Sequence, residues 1–273
     1  MDTKEKQLAK TIVDYSLNIK KGDRVLITYQ SLDANNFVKE LITSISSKDA
    51  IAMVCYEDVS LSAYLKQITT SKRIELIKKY KEFELSNFDV FINIKYNIND
   101  YENKLIDPKI TREILEKTYE SHNKLVNERR WLLLNYPSIV DSYKAKMTID
   151  EFKNYSLDVM NVDYRELSKD LKPLKRLMEQ TDKVRITAPN TDITFSIKGM
   201  PIIPCVGNSN LPDGEIYTAP IKNSVNGYIT YNITSTYRGE VFKNIKLEFK
   251  NGKIINAYTD KDKQEKLLDI FQT

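Results

Sequence analysis

The segment Asn208-Ser-Asn-Leu-Pro-Asp-Gly-Glu-Ile-Tyr-Thr-Ala-Pro220 carries the most informative chemistry in this chain. A glycine-containing loop delivers Glu215 to the start of a short apolar strand that Pro220 ends. Glutamate is a poor strand former, so a carboxylate set there is aimed at something. A hard or borderline divalent metal is one candidate, with the carboxylate as a direct ligand. A capped helix or a surface ion pair is the alternative. Two close carboxylate pairs, Glu57-Asp58 and Asp213 with Glu215, offer the raw material of a metal-free hydrolase such as a glycosidase. Surface charge is the plainer reading of both.

The scarce residues set limits. His122 is the single histidine and lies in Tyr119-Glu-Ser-His-Asn-Lys124, within a charged helical stretch. It reads as a solvated helix-face residue. A site built from several imidazoles is excluded for this chain alone, and a Ser-His-Asp or Cys-His device would have to use His122. The two cysteines, Cys55 and Cys205, make neither a disulfide framework nor a four-thiolate zinc site. Cys55 falls within a strand pattern and is expected to be a small core residue. Cys205, in Pro204-Cys-Val-Gly207, lies near a loop without a basic neighbour to favour its thiolate.

The elements that must position these residues follow from periodicity. Gln7 to Leu17 has helical spacing, stopped by Lys21-Gly22-Asp23. A buried strand is expected at 24–29, with further strands at 50–56, 88–94 and 130–135. Between them, helices are expected over 33–46 and 61–81 and from the Asp107-Pro108 start to about Glu128. This alternation predicts a doubly wound, mostly parallel sheet. Thr148-Ile-Asp-Glu151 fits a capping box. Pro173 is expected to kink or break the helical stretch 163–180. Gly22 is the only glycine before position 199, whereas six fall between Gly199 and Gly252. Few positive-φ turns are thus expected early and many late. Strands are expected at 183–188, 191–198, 215–219, 228–234, 244–250 and 253–258, followed by a helix over 261–271. Asn251-Gly252 is a two-residue hairpin signal, and Asn226-Gly227 reads as another turn. The organisation is therefore an α/β domain over residues 1–182 and a smaller, mainly antiparallel β-rich domain over 183–273.

Composition narrows the classes further. The chain has 273 residues, of which 41% are hydrophobic and 29% charged, as in an ordinary globular protein with a full core. From Lys183 onward there are 12 Lys and Arg against 9 Asp and Glu, leaving 30 against 29 before it. No basic domain or tail emerges, so nucleic acid is not an expected partner. The scattered 17 tyrosines accompany a general bias toward Lys, Asn, Ile and Tyr and do not suggest base stacking. No apolar run reaches the roughly 18 residues of a membrane span, and the polar start MDTKEKQLAK is not a signal peptide. The reducing cytosol is the expected compartment. The loops after the first four strands hold no glycine, which disfavours GxGxxG and P-loop nucleotide sites.

Four segments, in order along the chain, resemble the M29 family of metal-dependent aminopeptidases, the thermophilic aminopeptidase family. They are Leu8 to Ile27, Arg130-Trp-Leu with Tyr136-Pro137, Thr181 to Ile186 with Thr191 to Gly199, and Asn210-Leu-Pro-Asp-Gly-Glu-Ile-Tyr-Thr-Ala-Pro220 with Ser224-Val-Asn-Gly227. Tyr237-Arg-Gly239 and Phe249-Lys-Asn-Gly-Lys253 continue in register. The resemblance implies that Glu215 matches a ligand of a two-metal site, usually described with zinc or cobalt. It implies metal-assisted hydrolysis of peptides from their N-terminus, with two metals activating a water and polarising the scissile carbonyl. The family's second Glu, its histidines and its Asp lie further toward the C-terminus than Thr273, so no catalytic residue is assigned here. One carboxylate does not hold a dinuclear site, and the expectation is weak or no metal binding by residues 1–273. Association as a homodimer is implied by the same analogy. A reading of a different class is a non-catalytic relative that binds peptides or serves in assembly.

Overall fold

The computed structural model describes residues 3–99, 101–237 and 240–271. Arg238 and Gly239 of the resembling Tyr237-Arg-Gly239 segment, the first two residues and the last two lie outside the described residues.

The chain opens with α1 (Thr3–Thr11), which continues as a π-helical stretch over Ile12–Ser16. It proceeds through β1 (Arg24–Tyr29), α2 (Asn35–Ser46), β2 (Ile51–Tyr56), α3 (Val59–Gln67), α4 (Ser71–Asn87) and β3 (Val90–Lys95). Next come α5 (Pro108–Glu128), β4 (Arg130–Asn135), α6 (Ile139–Ala145), α7 (Ile149–Met160), α8 (Tyr164–Asp170) and α9 (Lys172–Gln180). The remainder is β5 (Lys183–Ala188), β6 (Thr191–Ser196), β7 (Ile203–Cys205), β8 (Asn210–Leu211), β9 (Glu215–Tyr217), β10 (Asn226–Tyr231), β11 (Ser235–Tyr237), β12 (Glu240–Phe242), β13 (Ile245–Lys250), β14 (Lys253–Tyr258) and α10 (Gln264–Phe271). These elements form two compact units, Met1–Arg165 with Cys205–Gly214, and Glu166–Pro204 with Glu215–Thr273.

The first unit is built on a parallel sheet of order β2-β1-β3-β4-β8. Its inner strands are apolar on both faces, as a sheet covered by helices on both sides requires. Val25, Ile27, Val90, Ile92, Ile94, Leu132 and Leu134 are buried on one face. On the other, Leu26 and Phe91 pack with Leu85 and Phe88, Leu125 and Trp131. The outer strand β2 is different. Its Ile51, Met53 and Tyr56 are exposed, and so is Cys55. The expectation of a core cysteine is thus corrected: an apolar run predicts a strand, but an edge position leaves that strand open to solvent.

Arg130, at the start of β4, fixes the loop before β1. Its guanidinium donates to the carbonyls of Leu17 and Asn18 at 3.1 and 3.0 Å and to Asp23 at 2.6 Å. The expected helix over 61–81 is in fact two. Thr70 caps α4 by accepting from the Arg73 backbone N–H, while Arg73 and Thr69 side chains both donate to the Leu65 carbonyl. These local bonds compete with the helical ladder and end α3. The capping box at Thr148 and Glu151 forms as expected. Around Pro173, the helix is split into α8 and α9, with the proline in the first turn of α9.

The second unit centres on an antiparallel sheet of order β14-β13-β10-β6-β5. Phe242, Leu247, Ala257 and Leu267 form its core cluster, with Ile229, Phe249 and Ile254 packed against it. Asn251 and Gly252 turn the β13–β14 hairpin with φ of 49° and 75°, as a primed turn demands. Asn226-Gly227, expected as a turn, instead opens β10. Gly227 is needed there for close approach, because a Cβ at its φ of +112° would sit 2.1 Å from the Asp192 carbonyl oxygen on β6.

Candidate functional site

In the first unit, residues 205–214 form a tethered loop. Leu211 is buried, and β8 pairs with β4 at Leu133 and Leu134. The Leu133 N–H donates to the Ser209 carbonyl at 2.8 Å. After the cis Leu211–Pro212 bond, the Asp213 carboxylate accepts from the backbone N–H groups of Gly207 at 2.8 Å and Gly214 at 3.1 Å. The Asp213 carboxylate therefore closes the loop upon itself. Gly207 lies against the Tyr164 ring, where a Cβ would stand 2.7 Å from ring carbons. Burial pushes the Tyr164 phenol up to about 12.

Glu215 belongs to the second unit, as the first residue of β9. That strand pairs with β7, and just past it the Thr218 hydroxyl donates to the Pro201 carbonyl at 2.8 Å. The Glu215 side chain is exposed, and among the described residues no donor or cation lies within hydrogen-bond or ion-pair distance of its carboxylate. The salt-bridge alternative for Glu215 finds no support among these residues.

The other candidates disperse. His122 is exposed on α5. Cys205 is half-buried in β7. Asp58 is the N-cap of α3, where the Leu61 backbone N–H and the Ser60 hydroxyl donate to it at 2.9 and 2.7 Å. Those bonds hold its carboxyl below the usual range. Glu57 faces a different neighbour, accepting from Gln30 Nε2 at 3.1 Å. The adjacent pair thus diverges into a cap and a polar cluster, with no shared reacting centre.

That polar cluster is what sequence reasoning missed. Gln30, Glu57, Lys95 and Tyr96 come from the ends of three different strands, and only the parallel order of β2, β1 and β3 gathers them around one cavity of about 320 Å³. The available signal was their place at the carboxyl ends of expected parallel strands, where open α/β sheets bind ligands.

Comparison with known proteins decides the family. The model of the thermophilic metalloprotease family, M29, matches residues 1–273. This chain belongs to the M29 family. A curated relative, aminopeptidase PepS of Streptococcus thermophilus, is 30% identical over a 90-residue alignment that covers 30% of this chain and 22% of that protein. The aligned stretch therefore spans under a quarter of the relative's length. Among solved structures, wild-type AmpT from Thermus thermophilus superposes with a TM-score of 0.78 at 15% identity, covering 99% of this chain and 74% of that one. A 2,5-dihydroxypyridine dioxygenase from Pseudomonas putida KT2440 shares the fold more loosely, with a TM-score of 0.53 at 13% identity over 97% of this chain and 70% of that one. At such identities the two structures speak for the fold alone.

An M29 protein is expected to hold divalent metal, and the residues here can be tested for it. Among the described residues, no group of three or more His, Cys, Asp or Glu side chains is placed to hold a metal ion. Protein zinc sites draw on three or four such ligands. The donor set that is described does not fit a resident metal pair, and Glu215 belongs to no group of three or more such ligands among the described residues. No helix among the described residues is long and apolar enough to cross a membrane.

Proposed function

We propose that this M29 protein is a metal-dependent aminopeptidase that removes N-terminal residues from peptides, with Glu215 as one ligand for zinc or cobalt. The match of the metalloprotease family model over residues 1–273 carries this reading. The name of the Streptococcus relative, an aminopeptidase, supports N-terminal rather than internal cleavage. The position of Glu215, exposed on a strand that follows a tethered loop, leaves its carboxylate available to a metal. Among the described residues no group of three or more ligands completes that site, so this reading calls for ligands outside them. We place the protein in the cytosol as a homodimer, by analogy with the family.

The lack of a three-ligand group among the described residues supports a second reading, in which the chain is a non-catalytic relative that binds peptides or serves in assembly. Sequencing the transcript past Thr273 separates the two, since a continuation bearing Glu, His and Asp supports the enzyme. The direct test is hydrolysis of a leucine anilide by the 273-residue chain and by any longer product, with zinc or cobalt added and bound metal measured by elemental analysis. The enzyme reading expects metal-dependent turnover in the complete product, lost in Glu215→Ala. Absence of turnover and of bound metal in every form overturns it. Light scattering at known concentration tests the dimer.

A further inference from the structure

The cavity of the first unit lies at the point where the strand order of its parallel sheet reverses. From β1 the chain goes to β2 on one side, and from β2 it crosses over to β3 on the other. The connections leaving β1 and β3 therefore depart to opposite faces, and a crevice opens between the two carboxyl ends. Here that crevice is a cavity of about 320 Å³, walled by one face of α3, with Val59, Ser62, Ala63 and Lys66, and by the ends of β1 and β3. Its volume is at the lower end of small-molecule sites, which run from about 300 to 1,000 Å³.

The charged lining is mixed in sign. Glu57 and Glu102 supply carboxylates, and Lys66 and Lys95 supply ammonium groups. Among the described residues these four make no ion pair with one another, and neither lysine has a carboxylate partner. Glu57 is held in place by a chain of bonds. The Tyr96 backbone N–H donates to Gln30 Oε1 at 3.3 Å, and Gln30 Nε2 donates to Glu57 Oε2 at 3.1 Å. That arrangement fixes the Gln30 amide and, among the described residues, leaves the other Glu57 oxygen unused. The mixture speaks against a polyphosphate, which would meet two carboxylates, and against a simple cation, which would meet two ammonium groups.

We propose that this cavity is a binding site for a small polar zwitterion, a free α-amino acid, with Glu57 receiving its ammonium group and Lys66 and Lys95 its carboxylate. The site lies in the unit that does not contain Glu215, and the proposal does not rest on the peptidase reading. Charge-assisted hydrogen bonds of both signs would fix the ligand's orientation, and the polar lining selects a polar side chain over an aliphatic one.

The test is isothermal titration of the full chain, freed of metal with chelator, using L-glutamine as the first probe and then the other common L-amino acids up to about 10 mM. Two capped analogues, N-acetyl-glutamine and glutamine amide, each remove one charge of the zwitterion and need no change in the protein. The expected result is saturable binding of at least one polar amino acid, weakened about tenfold or more by either cap. Glu57→Gln and Lys95→Met should weaken it similarly while the thermal unfolding midpoint stays at its wild-type value. The proposal is overturned if no amino acid binds, if the capped analogues bind as well as the parent, or if both variants bind with unchanged affinity. Loss of peptidase activity, or its absence throughout, moves none of these readouts.

Discussion

Replacing Glu5 by alanine should be among the most damaging single substitutions in the first unit. Glu5 is 1% exposed on α1 and accepts from the Tyr136 hydroxyl at 2.5 Å and from Lys153 Nζ on α7 at 2.8 Å. Tyr136, just past β4, is itself buried and stacks on Phe37 of α2 at 6.1 Å between ring centroids. One carboxylate thus ties together α1, α7 and the end of the central sheet. Removing one partner of a buried ion pair costs about 3–5 kcal/mol, because the other charge is stranded. The Lys153 side chain is 31% exposed and can partly rehydrate, which places the expected cost near the lower end, about 3 kcal/mol. At about 2–4 °C per kcal/mol for a unit of this size, the midpoint should fall by about 6–12 °C. Glu5→Gln keeps an acceptor for the phenol and should cost about 2 kcal/mol. Urea titration followed by circular dichroism measures both. The triple change Glu5→Leu, Tyr136→Phe, Lys153→Met removes all the polar partners together and should return to within about 1 kcal/mol of the parent. A Glu5→Ala cost below about 1 kcal/mol, or a triple variant no better than the single one, would refute the reasoning.

Alkaline pH probes the same network. Burial and the bond to Glu5 push the Tyr136 phenol above its ordinary value. For Lys153, burial acts downward, but the bonds to Glu5 and Tyr136 outweigh it, and the net shift is upward. Both groups hold their protons more tightly in the folded state, so their stabilisation is complete below about pH 10 and lost as pH rises beyond it. In Glu5→Leu, Tyr136→Phe, Lys153→Met, the unfolding midpoint should lose this part of its alkaline dependence. At the acid end, the bond from Arg24 holds Asp89 at about 2, and those from Lys263 and Lys266 hold Glu240 at about 2. Their contribution is present above about pH 4 and disappears as pH falls toward 2. Asp89→Asn and Glu240→Gln should flatten that limb in a pH series of thermal melts, an effect that weakens with added salt. Gly227→Ala would force a Cβ to 2.1 Å from the Asp192 carbonyl, and the outcome should be loss of soluble folded protein or a destabilisation of at least about 3 kcal/mol. Thr148→Ala breaks the capping box and should cost about 1 kcal/mol by urea titration, leaving the cavity's ligand binding unchanged.

Local signals were legible wherever a residue's own chemistry fixed its surroundings. Thr148-Ile-Asp-Glu151 declared a helix start because its side chains bond within one turn, and Asn251-Gly252 declared a hairpin because both residues accept positive φ. Glycine scarcity misled only slightly, since Asn18 and Asp49 take left-handed conformations in the glycine-poor part. The 226–227 pair shows the limit. Asparagine-glycine reads as a turn, yet here the glycine serves a close approach between β10 and β6 that no local pattern records. Cys55 fails in the same way, because an apolar run does not say whether its strand is central or at an edge.

By itself the sequence determined the alternation of strands and helices through β4, a parallel sheet followed by antiparallel strands, and the place of Glu215 in a family-like segment. Periodicity and turn chemistry act between neighbours along the chain, and those properties depend on little else. Only the tertiary structure decided that Glu215 stands exposed outside any three-ligand group among the described residues, that Asp213 accepts from its own loop, and that Gln30, Glu57, Lys66 and Lys95 line one cavity. The last four are separated by up to 65 positions; parallel pairing aligns the strand ends that carry Gln30, Glu57 and Lys95, and α3 brings Lys66 beside them.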